Sequence, residues 1–279
     1  MTSKNTLLAM TMIAFGILLA VVGYFSGGRW LLIKDEDGLH VPSNNTLVSQ
    51  SHDLDAFTSI NIVNDYGDIS IIANDSNYKL EANVLEQQDV TYHIENGTLT
   101  IEAKAKKKNR MQFGFASFSS PSIKLYLPAD KKLDMIVIDS KFGDTALQGL
   151  HYQQLNLIQD YGDITFTNTT GEKTEIAQDF GDLTLQQYSS NGINIESKHG
   201  DINIDGTLNG QTTITSSFGD ATLHLQNKQS DIGYALKTSF GDVSINDEEQ
   251  SGTVTQLNKG DHQLNVSLSH GDLDVSLKK

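Results

Sequence analysis

A tripeptide made of an aromatic residue or histidine, then glycine, then aspartate occurs eight times in the chain. Between Phe142 and Phe218 it recurs at a constant step of 19 residues, and the next two steps are 22 and 30 residues. A fixed period of this length is typical of a solenoid, in which each repeat forms one coil. The glycines, which would supply a positive φ at a tight turn, are Gly67, Gly143, Gly162, Gly181, Gly200, Gly219, Gly241 and Gly271.

Each Gly-Asp pair lies between two short runs in which apolar and polar residues alternate. Leu155–Ile158 precedes Gly162, and Ile164–Phe166 follows it. Alternation with a period of two and many β-branched residues predicts strands with one buried face. Such strands bury that face only if the coils stack about 4.8 Å apart around a shared core. The sequence therefore predicts an all-β fold, a β-solenoid with two strands in each coil of about 19 residues, joined by turns of four or five residues.

The repeated aspartate has two interpretations. As a turn residue, it would accept a hydrogen bond from a backbone N–H that the turn leaves unpaired. Alternatively, a column of carboxylates binds calcium. The glycine-rich nonapeptide of calcium-binding β-rolls is absent, which favours the structural interpretation. The rings before each glycine are expected to stack as a ladder. The metal candidates are Asp144, Asp163, Asp182, Asp201 and Asp220.

The charge of the chain is unevenly distributed. Residues 1–34 contain Lys4, Arg29 and Lys34 and no acidic residue. The remainder carries 17 basic residues against 35 acidic ones, a net charge of −18. A body this acidic is a poor partner for the phosphates of nucleic acid, so no nucleic-acid partner is expected. The absence of cysteine excludes disulfide and thiolate chemistry.

The N-terminal segment predicts a membrane anchor. Residues 5–28 are uncharged, and the apolar run from Leu7 to Phe25 is long enough to span a bilayer as a helix. A cleaved signal peptide is the alternative, but its cleavage site matches residues 24–28 poorly. We predict one transmembrane helix in residues 1–30, a single pass through the cell membrane, and a body outside it. The positive-inside count is nearly balanced, so the orientation follows from the acidic residues after the helix.

Three further segments follow the anchor. A polar, loop-like stalk is expected over residues 31–58. Residues 59–133 are expected to form one early coil around Gly67 and longer capping strands, with a hairpin turn at Asn96-Gly97. Regular Gly-Asp coils are expected over residues 134–279, and the charged residues after Leu273 are expected to block the edge of the last coil.

A basic patch interrupts the capping region and is followed by residues 111–118, which are rich in phenylalanine. One interpretation is a solvated hairpin tip. The other is a surface that contacts anionic lipid or wall polymer. The patch consists of Lys104, Lys106, Lys107, Lys108 and Arg110.

No catalytic motif is evident in the sequence. The eight histidines show no metal-ligand spacing such as His-Glu-x-x-His, and no Gly-x-Ser-x-Gly elbow or phosphate-binding glycine loop is present. Acidic residues recur identically from coil to coil, whereas catalysis needs one distinctive site. We therefore predict no enzymatic activity, no catalytic residue and no cofactor.

The turn pattern aromatic-Gly-Asp-aliphatic-x-aliphatic, together with the anchor, the stalk and the run Pro121–Pro128, resembles a known bacterial family. This is the "putative adhesin" domain first classified as a domain of unknown function, and the resemblance covers roughly residues 50–279. Membrane-anchored members occur in Lia-type cell-envelope stress operons of Gram-positive bacteria. The resemblance implies a β-solenoid-like body outside the membrane and a link to envelope stress, and it supplies no catalytic residues.

Three functions are compatible with these observations. The first is a membrane-anchored, extracytoplasmic interaction or scaffold protein that binds an envelope polymer or a membrane-protein partner. The second is a cytoplasmic, membrane-tethered scaffold that assembles end to end, as bactofilin-type proteins do. The third is a β-helix protein that binds or acts on polysaccharide. The sequence sets neither the partner nor the oligomeric state.

Overall fold

The computed structural model describes residues 12, 13, 15, 16, 19, 31–35, 38–40, 47–74, 77–85, 88–105, 111–114, 121–250, 253–256 and 260–279. The chain divides into two compact units. The first consists of Met1–Thr46 and Lys107–Ser119, and the second consists of Leu47–Lys106 and Ser120–Lys279.

The described residues form twenty-four strands. In chain order they are β1 (Leu31–Asp35), β2 (Gly38–His40), β3 (Leu47–Asp53), β4 (Ser59–Asn64), β5 (Asp68–Asn74), β6 (Lys79–Leu85), β7 (Gln88–Glu95), β8 (Thr98–Ala105), β9 (Met111–Gly114), β10 (Ser122–Pro128), β11 (Lys132–Phe142), β12 (Thr145–Gln148), β13 (His151–Tyr161), β14 (Ile164–Thr167), β15 (Thr170–Phe180), β16 (Leu183–His199), β17 (Ile202–Phe218), β18 (Ala221–Lys228), β19 (Gly233–Phe240), β20 (Val243–Ile245), β21 (Glu248–Gln250), β22 (Val254–Gln256), β23 (Gln263–His270) and β24 (Leu273–Lys278).

The first unit contains a three-stranded antiparallel sheet in the order β2-β1-β9. Most of the predicted anchor lies outside the described residues. Five of its positions, 12, 13, 15, 16 and 19, are described, and all five are helical. Within the described part of the chain, no helix has the length and apolar character needed to cross a bilayer. The transmembrane helix therefore stays a prediction.

The second unit is a β-solenoid, which confirms the predicted all-β repeat architecture. Its twenty-one strands form one ladder that folds over into two long faces around a shared core. The strands before each Gly-Asp turn make face A, in the order β7-β8-β4-β11-β13-β15-β16-β17-β23-β19-β22. The strands after each turn make face B, in the order β3-β6-β10-β5-β12-β14-β16-β17-β18-β24-β20-β21.

Alternate residues of every coil fill the core, as the period of two requires. One column of the ladder places a branched aliphatic side chain at the same point of five successive coils, all of them buried. Burial of each such side chain contributes about 1.5–3 kcal/mol to stability. A single coil cannot bury these side chains, so the stack of coils provides this stabilisation. The column is Ile138, Leu157, Ile176, Ile195 and Ile214.

Each coil also has a short third side between its face B strand and its face A strand. Parallel pairing joins Tyr152 to Gly171, Gly171 to Ser190, and Ser190 to Leu208. Asn227 ends this side, because its amide accepts from the N–H of Leu208 and donates to the carbonyl of Leu208, both at 2.9 Å. The prediction of two strands joined by simple turns is therefore wrong at this position. One inward residue per coil is too short a run to give a periodic signal.

The order of the coils departs from chain order at the C-terminal end of the described chain. β23 lies between β17 and β19, and β24 lies between β18 and β20. The final coil in space is therefore formed by β19 and β20. The prediction that the residues after Leu273 block the last edge is wrong, because β24 is paired on both sides.

Antiparallel strands cap both ends of the solenoid. β22 covers β19 and β21 covers β20 at one end. At the other end β7 pairs with β8, and β6 and β3 extend face B. The predicted hairpin at Asn96-Gly97 is present, with φ of +51° and +75°. The loop-like character expected for residues 31–58 is wrong at β1, β2 and β3, which all lie in this segment. The largely polar sequence and exposed pattern of β3 gave no strand signal.

Candidate functional site

The Gly-Asp turns form one straight edge of the solenoid. All eight turn glycines have φ between +122° and +151°, a conformation that residues with a Cβ rarely adopt. Space excludes a side chain as well, because a Cβ on Gly181 would lie 2.0 Å from the carbonyl oxygen of Gly162. The N–H of Gly162 donates to the carbonyl of Phe180 in the next coil at 3.0 Å. Glycine is therefore required by the close approach of successive coils.

The turn aspartates form a hydrogen-bonded ladder beside the glycines. In each step the Oδ1 of one aspartate accepts the backbone N–H of the aspartate in the next coil, at 2.8–3.1 Å. One oxygen of every candidate calcium ligand is thus used within the fold. Among the described residues, no group of three or more His, Asp or Glu side chains is placed to hold a metal ion. In space the ladder runs through Asp68, Asp144, Asp163, Asp182, Asp201, Asp220, Asp272 and Asp242.

The rings before the glycines stack along the same edge. From Phe142 to Phe240 the ring centroids are 4.6–5.0 Å apart and the planes lie within 13° of parallel. Tyr66 is tilted by 48° at a centroid distance of 6.4 Å from Phe142. His199 and His270 occupy rungs between phenylalanines. Because ring faces are covered by neighbours, mainly ring edges meet solvent.

A column of buried polar side chains lies inside the same edge. Gln178 Nε2 donates to the carbonyl of Gly162 at 2.8 Å, and Gln159 Nε2 donates to the carbonyl of Asp163 at 3.3 Å. Ser197 and Ser216 occupy the equivalent positions of the next two coils. Their buried hydroxyls have no hydrogen-bond partner in the described structure, because serine is too short to reach the turn. Leaving such a group unpaired costs about 1–3 kcal/mol.

Two buried phenols bond to one threonine in the core. The hydroxyl of Tyr152 is 2.8 Å from Thr174 Oγ1 and 3.1 Å from the hydroxyl of Tyr188, and Tyr188 is 2.6 Å from Thr174. Burial raises the pKa of Tyr152 well above its ordinary value and also raises the pKa of Tyr188. Gly171 makes room for the Tyr152 ring, which lies 2.3 Å from where a Cβ would stand.

A groove of about 430 Å³ crosses the outward side of face B. It spans β14, β16, β17 and β18, and its lining side chains come from consecutive rungs of two parallel columns. The inner column holds Thr184, Asn203 and Thr222, and the outer column holds Thr167, Gln186, Asp205 and His224. Gln187, with φ of +51°, forms a rim where the ladder register shifts.

One row of this face contains the residue types of a hydrolytic triad. Asp205, His224 and Ser276 are consecutive partners in the ladder. A working triad needs a hydrogen bond from the nucleophile to the base and from the base to the acid. No hydrogen bond joins these three described side chains, and Asp205 and His224 are exposed. We therefore treat the row as part of a polar surface.

Only one residue of the predicted basic patch is described. Lys104 Nζ is 2.7 Å from Glu102 Oε2 in a pair that is about half exposed. An exposed pair of this kind contributes little to stability. The other four residues, Lys106, Lys107, Lys108 and Arg110, lie outside the described residues, so contact with an anionic surface stays a prediction.

The structure brings the predicted turn glycines and aspartates to one edge, and sequence reasoning missed the groove. The groove residues are the polar, outward-facing members of alternating strands, and such residues are expected on any strand with a solvated face. The one available signal was that Asp205 and His224 each stand in the coil position held by Thr167 and Gln186 in earlier coils. That break in the repeat marks one point of an otherwise uniform column.

These features define a capped, parallel β-solenoid with a Gly-Asp turn in each coil. The family model described as Toastrack DUF4097 matches residues 57–208 and 206–276, which is most of the chain. The chain therefore belongs to the Toastrack DUF4097 family, and the family resemblance seen in the sequence is confirmed. The link to Lia-type operons stays a prediction.

The chain is similar to several solved structures. A "putative adhesin" from Parabacteroides distasonis is 14% identical with a TM-score of 0.47, over 83% of this chain and 98% of that one. A "putative adhesin" from Parabacteroides merdae is 14% identical with a TM-score of 0.47, over 84% of this chain and 98% of that one. A "putative lipid binding protein" from Parabacteroides distasonis is 16% identical with a TM-score of 0.47, over 83% and 98%. No curated protein matches the chain in sequence.

Proposed function

We propose that the protein is a non-enzymatic, membrane-anchored interaction or scaffold protein whose solenoid lies outside the cell membrane. In this proposal it acts in surface binding or in the response to cell-envelope stress. The observation that carries it is the polar groove on face B, where side chains at regular spacing face solvent and have no hydrogen-bond partner among the described residues. A rigid parallel stack holds these groups in fixed positions, which suits recognition of an extended partner.

The anchor and the outward orientation are supported by the distribution of charge. The 24 uncharged residues from 5 to 28 precede a body with a net charge of −18. Such a body is repelled by the anionic lipids of the cytoplasmic leaflet. On the outer side the body would not face that leaflet, while the segment keeps the protein at the membrane.

The absence of enzymatic activity is supported by the regularity of the turns. Each aspartate of the ladder accepts a backbone N–H and recurs with the same geometry from coil to coil. Their hydrogen bonds to the turn backbone explain these carboxylates without a catalytic role. The acid, imidazole and hydroxyl of face B are not hydrogen-bonded to one another among the described residues, so they fit binding better than catalysis.

The second candidate, a cytoplasmic scaffold that polymerises end to end, is disfavoured by the capped ends. Polymerisation would require an end coil whose parallel edges accept another coil in register. Here β21 and β22 cover the final coil in antiparallel pairing, and β21 carries the charges of Glu248 and Glu249. The antiparallel strands end the coil register, and the charges oppose the addition of a further strand.

Topology is the experiment that tests the proposal. The chain has no cysteine, so Ser51→Cys, Gln153→Cys and Ser269→Cys give single reactive sites at exposed positions of the second unit. Ser140→Cys is the matched control, because this position is buried. We expect a membrane-impermeant thiol reagent to label the three exposed sites on intact cells. Protection until lysis would place the body in the cytoplasm and refute the proposal.

A further inference from the structure

We infer that the groove on face B binds an uncharged oligosaccharide strand rich in hydroxyl and N-acetyl groups. The inference rests on the proposed function, because it names the ligand that an envelope interaction protein would bind there. Its basis is the shape of the groove, the lack of internal partners for its side chains, and its charge.

The groove has the size of a site for a short chain molecule. From Thr167 to His224 it crosses four adjacent strands of the parallel ladder. With about 4.8 Å between strands, the outer column extends roughly 14 Å. A volume of about 430 Å³ lies within the range of small-molecule sites. The columns run across the strands, so a bound chain would lie along the solenoid axis.

The polar side chains of the groove have no hydrogen-bond partners in the described part of the chain. The side chains of Thr184, Asn203, Thr222 and their neighbours in the outer column make no hydrogen bond to any described atom. Some outward side chains of face A bond to one another. Lys198 pairs with Asp179 at 2.7 Å, and Asn191 bonds to Glu172. The groove on face B brings together seven polar side chains with no such bond to a described atom, on adjacent rungs of two columns.

The residue types select a ligand that both donates and accepts hydrogen bonds. Threonine hydroxyls and the amides of asparagine and glutamine do both, and so do sugar hydroxyl and acetamido groups. Asp205 and His224 add one distinctive point, because theirs is the one register pair of an acid with a histidine among the described strands. The carboxylate can accept hydrogen bonds from two hydroxyl groups, and a neutral imidazole donates with one nitrogen and accepts with the other. This pair would fix the position of one sugar unit.

Charge excludes an anionic chain. The groove lining contains one carboxylate and no lysine or arginine. An anionic polymer needs basic side chains for recognition, and here it would also meet the negative field of a body with 35 acidic residues against 17 basic ones beyond residue 34. A neutral strand avoids both costs.

The test is a binding experiment on the full-length protein in detergent solution. The probes are the tetramer of β-1,4-linked N-acetylglucosamine, cellotetraose with hydroxyl groups only, and tetragalacturonate as the anionic probe. Affinity is measured by calorimetry, and contact is measured by saturation-transfer NMR. We expect the acetylated tetramer to bind more tightly than cellotetraose, because three lining amides match its acetamido groups, and tetragalacturonate to bind least.

Variants locate the site. The double variant Asp205→Ala/His224→Ala and the blocking variant Thr184→Trp should each weaken binding at least about tenfold. The matched control is Asp139→Ala/His151→Ala, which removes the same residue types from exposed positions outside the groove. The control should bind as the wild type does, and all variants should keep the wild-type melting temperature.

Three results would overturn the inference: neither neutral tetramer binds at about 10 mM, the groove variants bind as tightly as the control, or tetragalacturonate binds most tightly. None of these results affects the topology experiment, so a body outside the cell that binds no glycan would refute the site alone. A cytoplasmic body that still binds through Asp205 and His224 would refute the proposed function alone.

Discussion

At the scale of single residues, the turn aspartate explains how like charges are tolerated at close spacing. Each carboxylate stands about one coil from the next, and two unit charges at such a distance repel even in water. The N–H that Asp201 donates to Asp182 Oδ1 at 2.9 Å offsets part of that repulsion. A backbone donor left unpaired by the turn thus finds its acceptor in the adjacent coil.

Substitution of Asp182 separates the hydrogen bond from the charge. Asp182→Asn keeps an oxygen for the N–H of Asp201, whereas Asp182→Ala removes it. We expect Asp182→Ala to lower the free energy of unfolding by about 1–2 kcal/mol, and Asp182→Asn to change it little or to raise it at low salt. Urea denaturation at low and high ionic strength measures both. If the amide were as costly as alanine, the charge itself would be the stabilising feature.

The same variants address calcium. With the structural role alone, a calcium chelator should leave the melting temperature of the wild type unchanged. A rise in melting temperature with added calcium that is lost in Asp182→Asn would instead show that the aspartates bind the ion.

At the scale of strands and coils, the features that recur in every coil could be predicted from the sequence. The features that occur at one place in the fold could not. The period between Phe142 and Phe218 was readable because the close approach of coils admits only glycine at the turn. The insertion of β23 and β24 was not readable, because β19-β20 and β23-β24 carry the same aromatic-or-His-Gly-Asp turn and the same alternation. Because parallel strands pair through backbone groups, the sequence does not show which of the two strand pairs, β19-β20 or β23-β24, lies next to β17 and β18.

The candidate site was hidden for a different reason. Outward polar residues are common on all solvated strands, so Thr184 and Asn203 carried no signal until the fold placed them on adjacent rungs. The buried phenols were equally hidden, because Tyr152 and Tyr188 are 36 residues apart and meet only through stacking.

The buried phenols predict a loss of stability at alkaline pH. In the unfolded chain Tyr152 and Tyr188 ionise near the ordinary pKa of 10, whereas burial raises the pKa of each in the folded state. Their contribution is therefore complete below pH 10 and falls as pH rises from 10 towards the folded-state pKa. In this pH range, each phenol should lower the free energy of unfolding by at most about 1.4 kcal/mol per pH unit.

Urea denaturation at pH 8, 10 and 11 tests this prediction. Tyr188→Phe should reduce the slope of stability against pH above pH 10, and Tyr152→Phe/Tyr188→Phe should reduce it further. The double variant serves as the control for alkaline effects elsewhere in the chain. An unchanged slope in the double variant would mean that these phenols do not govern the alkaline transition.

At the scale of the whole molecule, the solenoid is closed by interleaving its coils. Among the described strands, β19 and β20 have parallel neighbours only in β23 and β24, and their other neighbours are the short cap strands β22 and β21. In a simple solenoid, loss of the last segment of chain removes only the last coil. Here the final coil in space depends on a segment that comes later in the chain.

Truncation after Gln256 removes β23 and β24 and should therefore also expose β19 and β20, which remain in the chain. We expect hydrogen exchange to show lost protection in residues 233–245, which remain in the variant, and retained protection in residues 155–199. Substitution of Phe240 by alanine in the full-length chain is the milder control, because it removes one rung of the ring ladder and leaves the strands paired. Protection of residues 233–245 in the truncated chain would mean that they move into the place of β23 and β24.

The interleaved end has a consequence for the order in which the protein can be made. A chain emerging from the ribosome can wind coil upon coil as far as β18, each new coil finding its template already in place. The next stretch, β19 and β20, cannot reach its native parallel neighbours until β23 and β24 have been made, and until then the edges of β17 and β18 that β23 and β24 will cover lack their native partners. Folding is complete only when β23 and β24 have inserted between β17 and β19 and between β18 and β20. Until they insert, any other strand with the same alternating pattern can compete for those pairing positions.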